Sequence, residues 1–157
     1  MANTYTVERI ATLLAPAERI YQEIADFHRW TAWSPWDDLD PDLKRTYSGA
    51  NSGLGAIYSW LGNRKAGQGR MEITEAVDSS ELTIALDFLK PFKSSSTTSF
   101  ALTADGDMTR VTWTMTGPLT PLLRVMGIFK SMDKMVGPDF EKGLRRLKAV
   151  AEAPPTS

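Results

Sequence analysis

The sequence predicts an α+β domain in which a curved antiparallel sheet wraps around one long C-terminal helix, with two short helices between the first and second strands. Three observations predict it. Between residues 43 and 117, six stretches of alternating character are divided by turn residues, and no helical period intervenes. After Pro118, nine apolar residues (Leu122, Met126, Phe129, Met132, Val136, Phe140, Leu144, Leu147 and Val150) recur at spacings of three and four. The chain is 157 residues long and carries neither a linker nor a repeat, so a single domain over residues 1–152 is expected, with a disordered tail at 153–157.

The elements follow in order. Residues 4–14 alternate, with Tyr5, Val7, Arg9, Ala11 and Leu13 on one face, which predicts a strand. At Ala15-Pro16-Ala17-Glu18 the pattern changes: Pro suits a first helical turn, Glu18 suits the positive helix end, and Ile20, Ile24 and Phe27 follow at helical spacing. Trp30, Trp33 and Trp36 then recur every third residue, and Ser34-Pro35 stops any helix there. Asp37, Asp38, Asp40 and Asp42 with Pro41 predict a solvated acidic turn. The six later strands are expected at 43–48, 55–61, 69–77, 81–88, 94–102 and 109–117, with Asp105-Gly106 as the best hairpin signal.

The strand faces are unequal. Leu82, Ile84, Leu86 and Phe88 share one face, as do Phe100 with Leu102, and Val111 with Trp113 and Met115. Their alternates, among them Thr83, Asp87, Thr97, Ser99, Thr112, Thr114 and Thr116, suit a solvated face. One side of the sheet therefore needs an apolar cover, and the helix expected over 120–150 supplies it. Gly137-Pro138 falls inside that helix and predicts a kink or break, with Asp139 starting the second half. Glu141 and Arg145 are placed for an i,i+4 pair on the wet face.

Composition excludes several function classes. Eighteen basic residues against nineteen acidic ones leave no electrostatic footprint for nucleic acid. With no cysteine and a single histidine, thiolate catalysis, disulfides and Cys- or His-rich metal sites are excluded, and neither cofactor nor metal is expected. The first residues lack the charged and apolar regions of a secretory signal, and no apolar run approaches a membrane span. A cytoplasmic protein without integral membrane association, monomeric or weakly dimeric, is the expectation.

Motifs for chemistry are weak. Gly53-Leu54-Gly55 and Gly67-Gln68-Gly69 do not extend to a phosphate loop, and the acidic turn lacks the Gly and Glu register of a calcium loop. His28 alone titrates near neutrality without perturbation, and no nucleophile accompanies it in a recognisable motif. Asp37, Glu72 and Asp87, or the phenols Tyr47 and Tyr58, could serve instead, and no pattern selects one, so catalytic residues are left unassigned.

The rings and methionines say more. The three clustered tryptophans, Tyr58, Trp60, Phe88, Phe92, Phe100 and Trp113 all point toward the apolar side, opposite Met126, Phe129, Met132 and Met135 on the long helix. Two readings stay open from these residues: a filled core, or a cavity lined by rings and adaptable Met side chains. Buried Tyr58 and Trp60 lean toward a cavity, because their O–H and N–H groups need partners.

The order of elements resembles the helix-grip fold of the SRPBCC superfamily, which includes START lipid-transfer domains, the birch-pollen allergen type and bacterial polyketide cyclases. Ala15-Pro16-Ala17-Glu18 resembles the family's helix start, and Trp30-Thr31-Ala32-Trp33-Ser34-Pro35-Trp36 resembles its W-x-x-W-S-P-W/Y segment. Tyr47-Ser48-Gly49, Trp60-Leu61-Gly62-Asn63, Val111-Thr112-Trp113-Thr114-Met115 and the closing Gly137-Pro138-Asp139-Phe140 stretch are similar to the polyketide cyclase/dehydrase-like branch. The resemblance implies a deep, largely apolar cavity between sheet and long helix. It does not imply one activity, since family members transfer lipids, sense hormones, cyclise polyketides or act without catalysis.

The reading that follows is binding of a hydrophobic or amphipathic small molecule, such as a lipid, sterol or polyketide-like compound. Trp33, Tyr58, Trp60, Phe88, Phe100, Trp113, Met115, Met126, Phe129, Met132 and Phe140 are expected to line or gate its cavity. The alternative is a polyketide cyclase or dehydratase using a cavity carboxylate or His28 as acid/base. A third reading, a module that docks a partner protein, is disfavoured by the Thr- and Ser-rich outer face.

Overall fold

The computed structural model describes residues 4–36, 40–64, 66–90, 93–118 and 128–153, and within the last stretch the side chains of 134 and 136–153. Seven strands form one curved antiparallel sheet: β1 (Thr4–Leu13), β2 (Lys44–Gly49), β3 (Ala56–Leu61), β4 (Gln68–Val77), β5 (Glu81–Lys90), β6 (Ser94–Asp105) and β7 (Met108–Pro118). Their order is β1-β7-β6-β5-β4-β3-β2, so every neighbour in space is a neighbour in sequence except β1, which pairs with β7 from Thr4↔Pro118 to Leu13↔Thr109. The expected antiparallel meander and its strand ranges are observed within two to three residues. The β6–β7 hairpin turns at Gly106-Asp107, where Gly106 takes φ +63°, a conformation in which a side chain would be strained.

Helix α1 (Ala17–Ile24) begins after Pro16, carries Glu18 in its first turn and buries Ile20 and Ile24. Its last carbonyls are satisfied from outside the helix. Trp33 Nε1 donates to Glu23 at 3.3 Å, Trp30 Nε1 to Ile24 at 2.9 Å, and the Gly53 N–H to Ala25 at 2.8 Å. The tryptophan segment and the β2–β3 turn therefore cap α1 while burying their own surface. Buried Glu23 is paired with Arg19 and Arg29, which keeps its charge compensated. A 3₁₀ helix (Phe27–Ala32) follows, started by Asp26, whose carboxylate accepts the His28 N–H at 3.0 Å.

Three expectations change. The acidic stretch is not simply a solvated turn: Asp40 is 9% exposed, and its two oxygens accept the backbone N–H groups of Asp42 and Asn63, each at 2.8 Å. One carboxylate thus ties the turn before β2 to the turn after β3, while residues 37–39 lie outside the described residues. The long helix, α2 (Ile128–Glu152), runs through Pro138 without a break. Gly137 has no Cβ to collide with the proline ring, the ring removes only one backbone donor, and Phe140, Leu144 and Leu147 bury against the sheet on the far side of it. The helical start expected at 120, with Leu122 and Met126, lies outside the described residues, as does all but Ala153 of the expected tail. Finally, Glu141 joins Arg9 of β1 at 3.2 Å rather than standing as a pair with Arg145 on α2 alone.

Alternation along β1, β4, β5, β6 and β7 places Val7, Ile73, Leu82, Ile84, Phe100, Val111 and Trp113 in the core. The helix backbone comes close to the aromatic core at Gly143, where an added Cβ would stand 2.8 Å from Trp113 Cζ3 and 3.1 Å from Pro35 Cδ. The Trp113 ring is stacked on Phe100 and Phe140, which limits its freedom to move aside. Gly143→Ala should gain about 1 kcal/mol in helix propensity and lose roughly 1–3 kcal/mol to overpacking. We expect a net loss of stability in a urea titration, and an increase would show that the helix–sheet spacing is not set here.

Candidate functional site

A cavity of about 370 Å³ lies between the sheet and α2. Its floor is built from inward-facing positions of β3, β4, β5 and β7, where Tyr58, Trp60, Met71, Leu86, Phe88, Trp113 and Met115 occur. Val136 and Phe140 of α2 roof it, and Trp30 and Trp36 of the tryptophan segment close one side. Phe27 and Tyr47 complete that wall.

Of the residues expected at the site, Tyr58, Trp60, Phe88, Trp113, Met115 and Phe140 face this cavity. Trp33 and Phe100 stand behind its wall, 0% and 1% exposed, in edge-to-face contact with each other at 6.0 Å. Trp113 joins the two layers: it stacks on Phe140 at 4.1 Å and 6°, and on Phe100 at 4.9 Å and 27°. Met126 and the side chains of Phe129 and Met132 lie outside the described residues.

Two cavity rings lie down on the sheet because the neighbouring strand offers a glycine. Trp60 pairs with Gly69, where a Cβ would fall 2.4 Å from Trp60 Cη2. Tyr5 pairs with Gly117, where a Cβ would fall 2.5 Å from the phenol oxygen. Any side chain at either position would lift the ring into the void, so these glycines help to keep it open. The indole of Trp60 is held flat by a bond to the Ala66 carbonyl at 2.9 Å, and that of Trp36 by Asp139 at 3.3 Å. Trp113 Nε1 is buried without a partner among the described residues.

Residue periodicity also carried a signal that the hydrophobic pattern concealed. Extending the inward face of β6 back from Leu102 and Phe100 reaches Thr98, Ser96 and Ser94, so this strand turns from hydrocarbon to hydroxyl along one face. Thr98 and Ser94 border the cavity, as does Tyr5. Burial pushes the Tyr5 phenol above its ordinary value of 10.0, with Ser96 pulling weakly the other way. Tyr5 is therefore a neutral hydrogen-bond donor throughout the physiological range.

The titratable groups that sequence reasoning raised stand elsewhere. His28 is half exposed, bonds Asp26 at 2.9 Å and stacks on the outer side of Tyr47 at 4.0 Å, beside a second, smaller pocket of about 120 Å³. Glu72 pairs with Arg70 at 2.9 Å, and Asp87 accepts from Ser95 at 2.7 Å on the outer face. Asp37 lies outside the described residues. Among the described residues that line the larger cavity, the ionisable side chains are the phenols Tyr5, Tyr47 and Tyr58. No cluster of three or more acidic or histidine side chains suited to a metal occurs among the described residues, and no described helix is long and apolar enough to cross a membrane.

Comparison with known proteins gives a consistent picture. The family model described as polyketide cyclase / dehydrase and lipid transport matches residues 4–152. Among solved structures, protein CV1439 from Chromobacterium violaceum is 16% identical, with 98% of this chain and 100% of that one covered and a TM-score of 0.65. The Aha1 dimer from Colwellia psychrerythraea is 16% identical, covering 94% and 96%, at a TM-score of 0.62. DynU16, a protein of the dynemicin biosynthetic locus, is 15% identical at a TM-score of 0.64; the match spans 94% of this chain and 47% of that one. At these identities the likeness establishes the fold. No curated protein matches.

The raised Tyr5 phenol makes a signed prediction. The unfolded chain loses this proton near 10.0 and the folded one later, so the group's contribution is intact below pH 10 and is lost as pH rises through the folded value. Tyr5→Phe should remove one late-titrating phenol from the ultraviolet absorbance titration, and its stability should fall less steeply than the parent's above pH 10. Equal slopes would place Tyr5 in water.

Proposed function

The chain belongs to the polyketide cyclase / dehydrase and lipid transport family, and from that footing we propose that it binds a hydrophobic or amphipathic small molecule in the cavity beneath α2. The observation that carries this reading is the void itself: about 370 Å³, within the usual range of small-molecule sites, walled by rings and aliphatic side chains with a few hydroxyls. A ligand burying ~300 Å² of apolar surface would gain about 7.5 kcal/mol at 25 cal/mol per Å². Association costs of at least ~4 kcal/mol consume much of that, so useful affinity needs either more area or a polar anchor.

In this reading the cavity carries or senses its ligand rather than transforming it. General acid/base chemistry asks for a group poised near the working pH, and the described lining offers phenols alone, one of them raised further from neutrality. His28 and the carboxylates of Glu72 and Asp87 lie away from the described lining. The dimer of Aha1 among the structural neighbours makes weak self-association a reasonable accompaniment, with monomer as the alternative.

A second reading, cyclisation or dehydration of a polyketide-like substrate, draws support from the family description and from the biosynthetic locus of DynU16. It would assign proton donation to Tyr5, Tyr47 or Tyr58 in place of the carboxylate or histidine first expected.

Native mass spectrometry and thermal shift against a panel of fatty acyl, sterol and aromatic polyketide compounds test the binding reading. We expect at least one retained species with a raised Tm. Leu86→Trp, which fills the void from β5, should abolish that shift while the protein stays folded by circular dichroism. Absence of binding throughout the panel would sink the proposal, and turnover of a poly-β-ketone substrate would move it to the enzyme reading.

A further inference from the structure

The cavity is not uniform: hydroxyls of Thr31, Ser34, Tyr47 and Tyr58 border it on the side of the tryptophan segment, β2 and β3, and a second group gathers toward β1 and β6. Tyr5 of β1 lies across Gly117 of β7 toward β6, and the registers bring it to Ser96: Tyr5 pairs with Gly117, while the adjacent Thr116 pairs with Thr97, next to Ser96. Thr98, 4% exposed, follows on the same inward face, and Ser94 precedes it at the cavity rim. Ser96 is near enough to Tyr5 to ease the phenol's ionisation, yet its Oγ is wholly buried and meets no partner in good hydrogen-bond geometry. Ser96 stands behind the lining next to Tyr5, so it bears on the site through the phenol rather than by meeting a ligand itself.

Between the two groups the floor of the void is hydrocarbon and ring: Leu86 and Phe88 on β5, Met71 on β4 and Trp60 on β3. A molecule placed here meets an apolar bed along most of its length and, toward β1 and β6, a group of hydroxyls.

We propose that Tyr5, Ser94 and Thr98, with Ser96 behind them, form a subsite for a single uncharged oxygen function of the ligand, a hydroxyl or a carbonyl, while Trp60, Leu86 and Phe88 hold its apolar body. This rests on the binding reading above and adds to it the polarity and orientation of the ligand. Hydroxyl groups both donate and accept, so the subsite matches a neutral oxygen in either role. It does not match an ionised carboxylate, which would enter an apolar void without a cation among the described lining residues and lose its hydration uncompensated. Gly117 is a specificity determinant in this scheme: without it the phenol could not reach across β7 to the hydroxyl row.

Equilibrium dialysis of the full chain against 2-naphthol, naphthalene and 2-naphthoate separates the contributions, because the three share one apolar body. We expect naphthol to bind about tenfold tighter than naphthalene, the increment of one good hydrogen bond, and naphthoate to bind weakest. Tyr5→Phe and, separately, Thr98→Val should each bring naphthol toward naphthalene while leaving naphthalene unchanged, which distinguishes a lost hydroxyl from a damaged cavity. Naphthoate binding tightest, naphthol and naphthalene binding alike, or equal weakening of both by the variants would overturn the subsite and leave the cavity reading standing. If none of the three binds the parent chain, the subsite falls, and the panel of fatty acyl, sterol and polyketide compounds decides the cavity reading separately.

Discussion

The structure depends on the contact between α2 and the sheet at Trp113. The indole lies against Phe140 on one side and Phe100 on the other, and Gly143 lets the helix backbone come down onto its edge. From there to the C-terminus the helix is seated, with Leu144, Leu147 and Ala151 buried. Toward the N-terminus, Val136 and Phe140 roof the void. Phe140 takes part in both, stacking on Trp113 and roofing the void, so the contact and the cavity beside it adjoin at one residue. The tryptophan segment serves both: Trp33 buttresses the contact from behind, and Trp36 closes the open side.

Strand ranges and faces were legible because half-buried strands alternate with a period of two and α2 repeats at 3.6, and both patterns survive in a single sequence. Tyr58, Trp60, Phe88, Trp113, Met115 and Phe140 could be placed on the apolar side from those two periods, whereas a cavity there, rather than a filled core, was implied by the family resemblance. What the pattern does not carry is partnership. Asp40 looks like one acid among several, and only the fold shows that its carboxylate accepts from two separate turns. Gly137-Pro138 looks like a stop signal, yet burial of the turns beyond it outweighs the loss of one backbone hydrogen bond.

The hydroxyl face was missed for another reason. Hydrophobic alternation identifies a strand's inner side by its apolar members, and on β6 these are Phe100 and Leu102 near its end. Ser94, Ser96 and Thr98 share that side but resemble the Thr and Ser of the solvated face. A polar binding subsite in an apolar cavity is hidden from such a reading by its own chemistry, and it becomes visible only when strict periodicity is followed past the last apolar residue.

The pairing of β1 with β7 has a consequence for the order of events as the chain is made. Thr4 cannot find its partner until Pro118 exists, and closing a loop of that size costs roughly 4 kcal/mol of chain entropy. Strands β2 to β7 can zip hairpin by hairpin as they emerge, whereas the first strand waits for the last and α2 arrives later still. Until then the ring-lined face is open to its surroundings. The walls of the cavity are thus laid down before its roof, and the void is the last part of the structure to be enclosed.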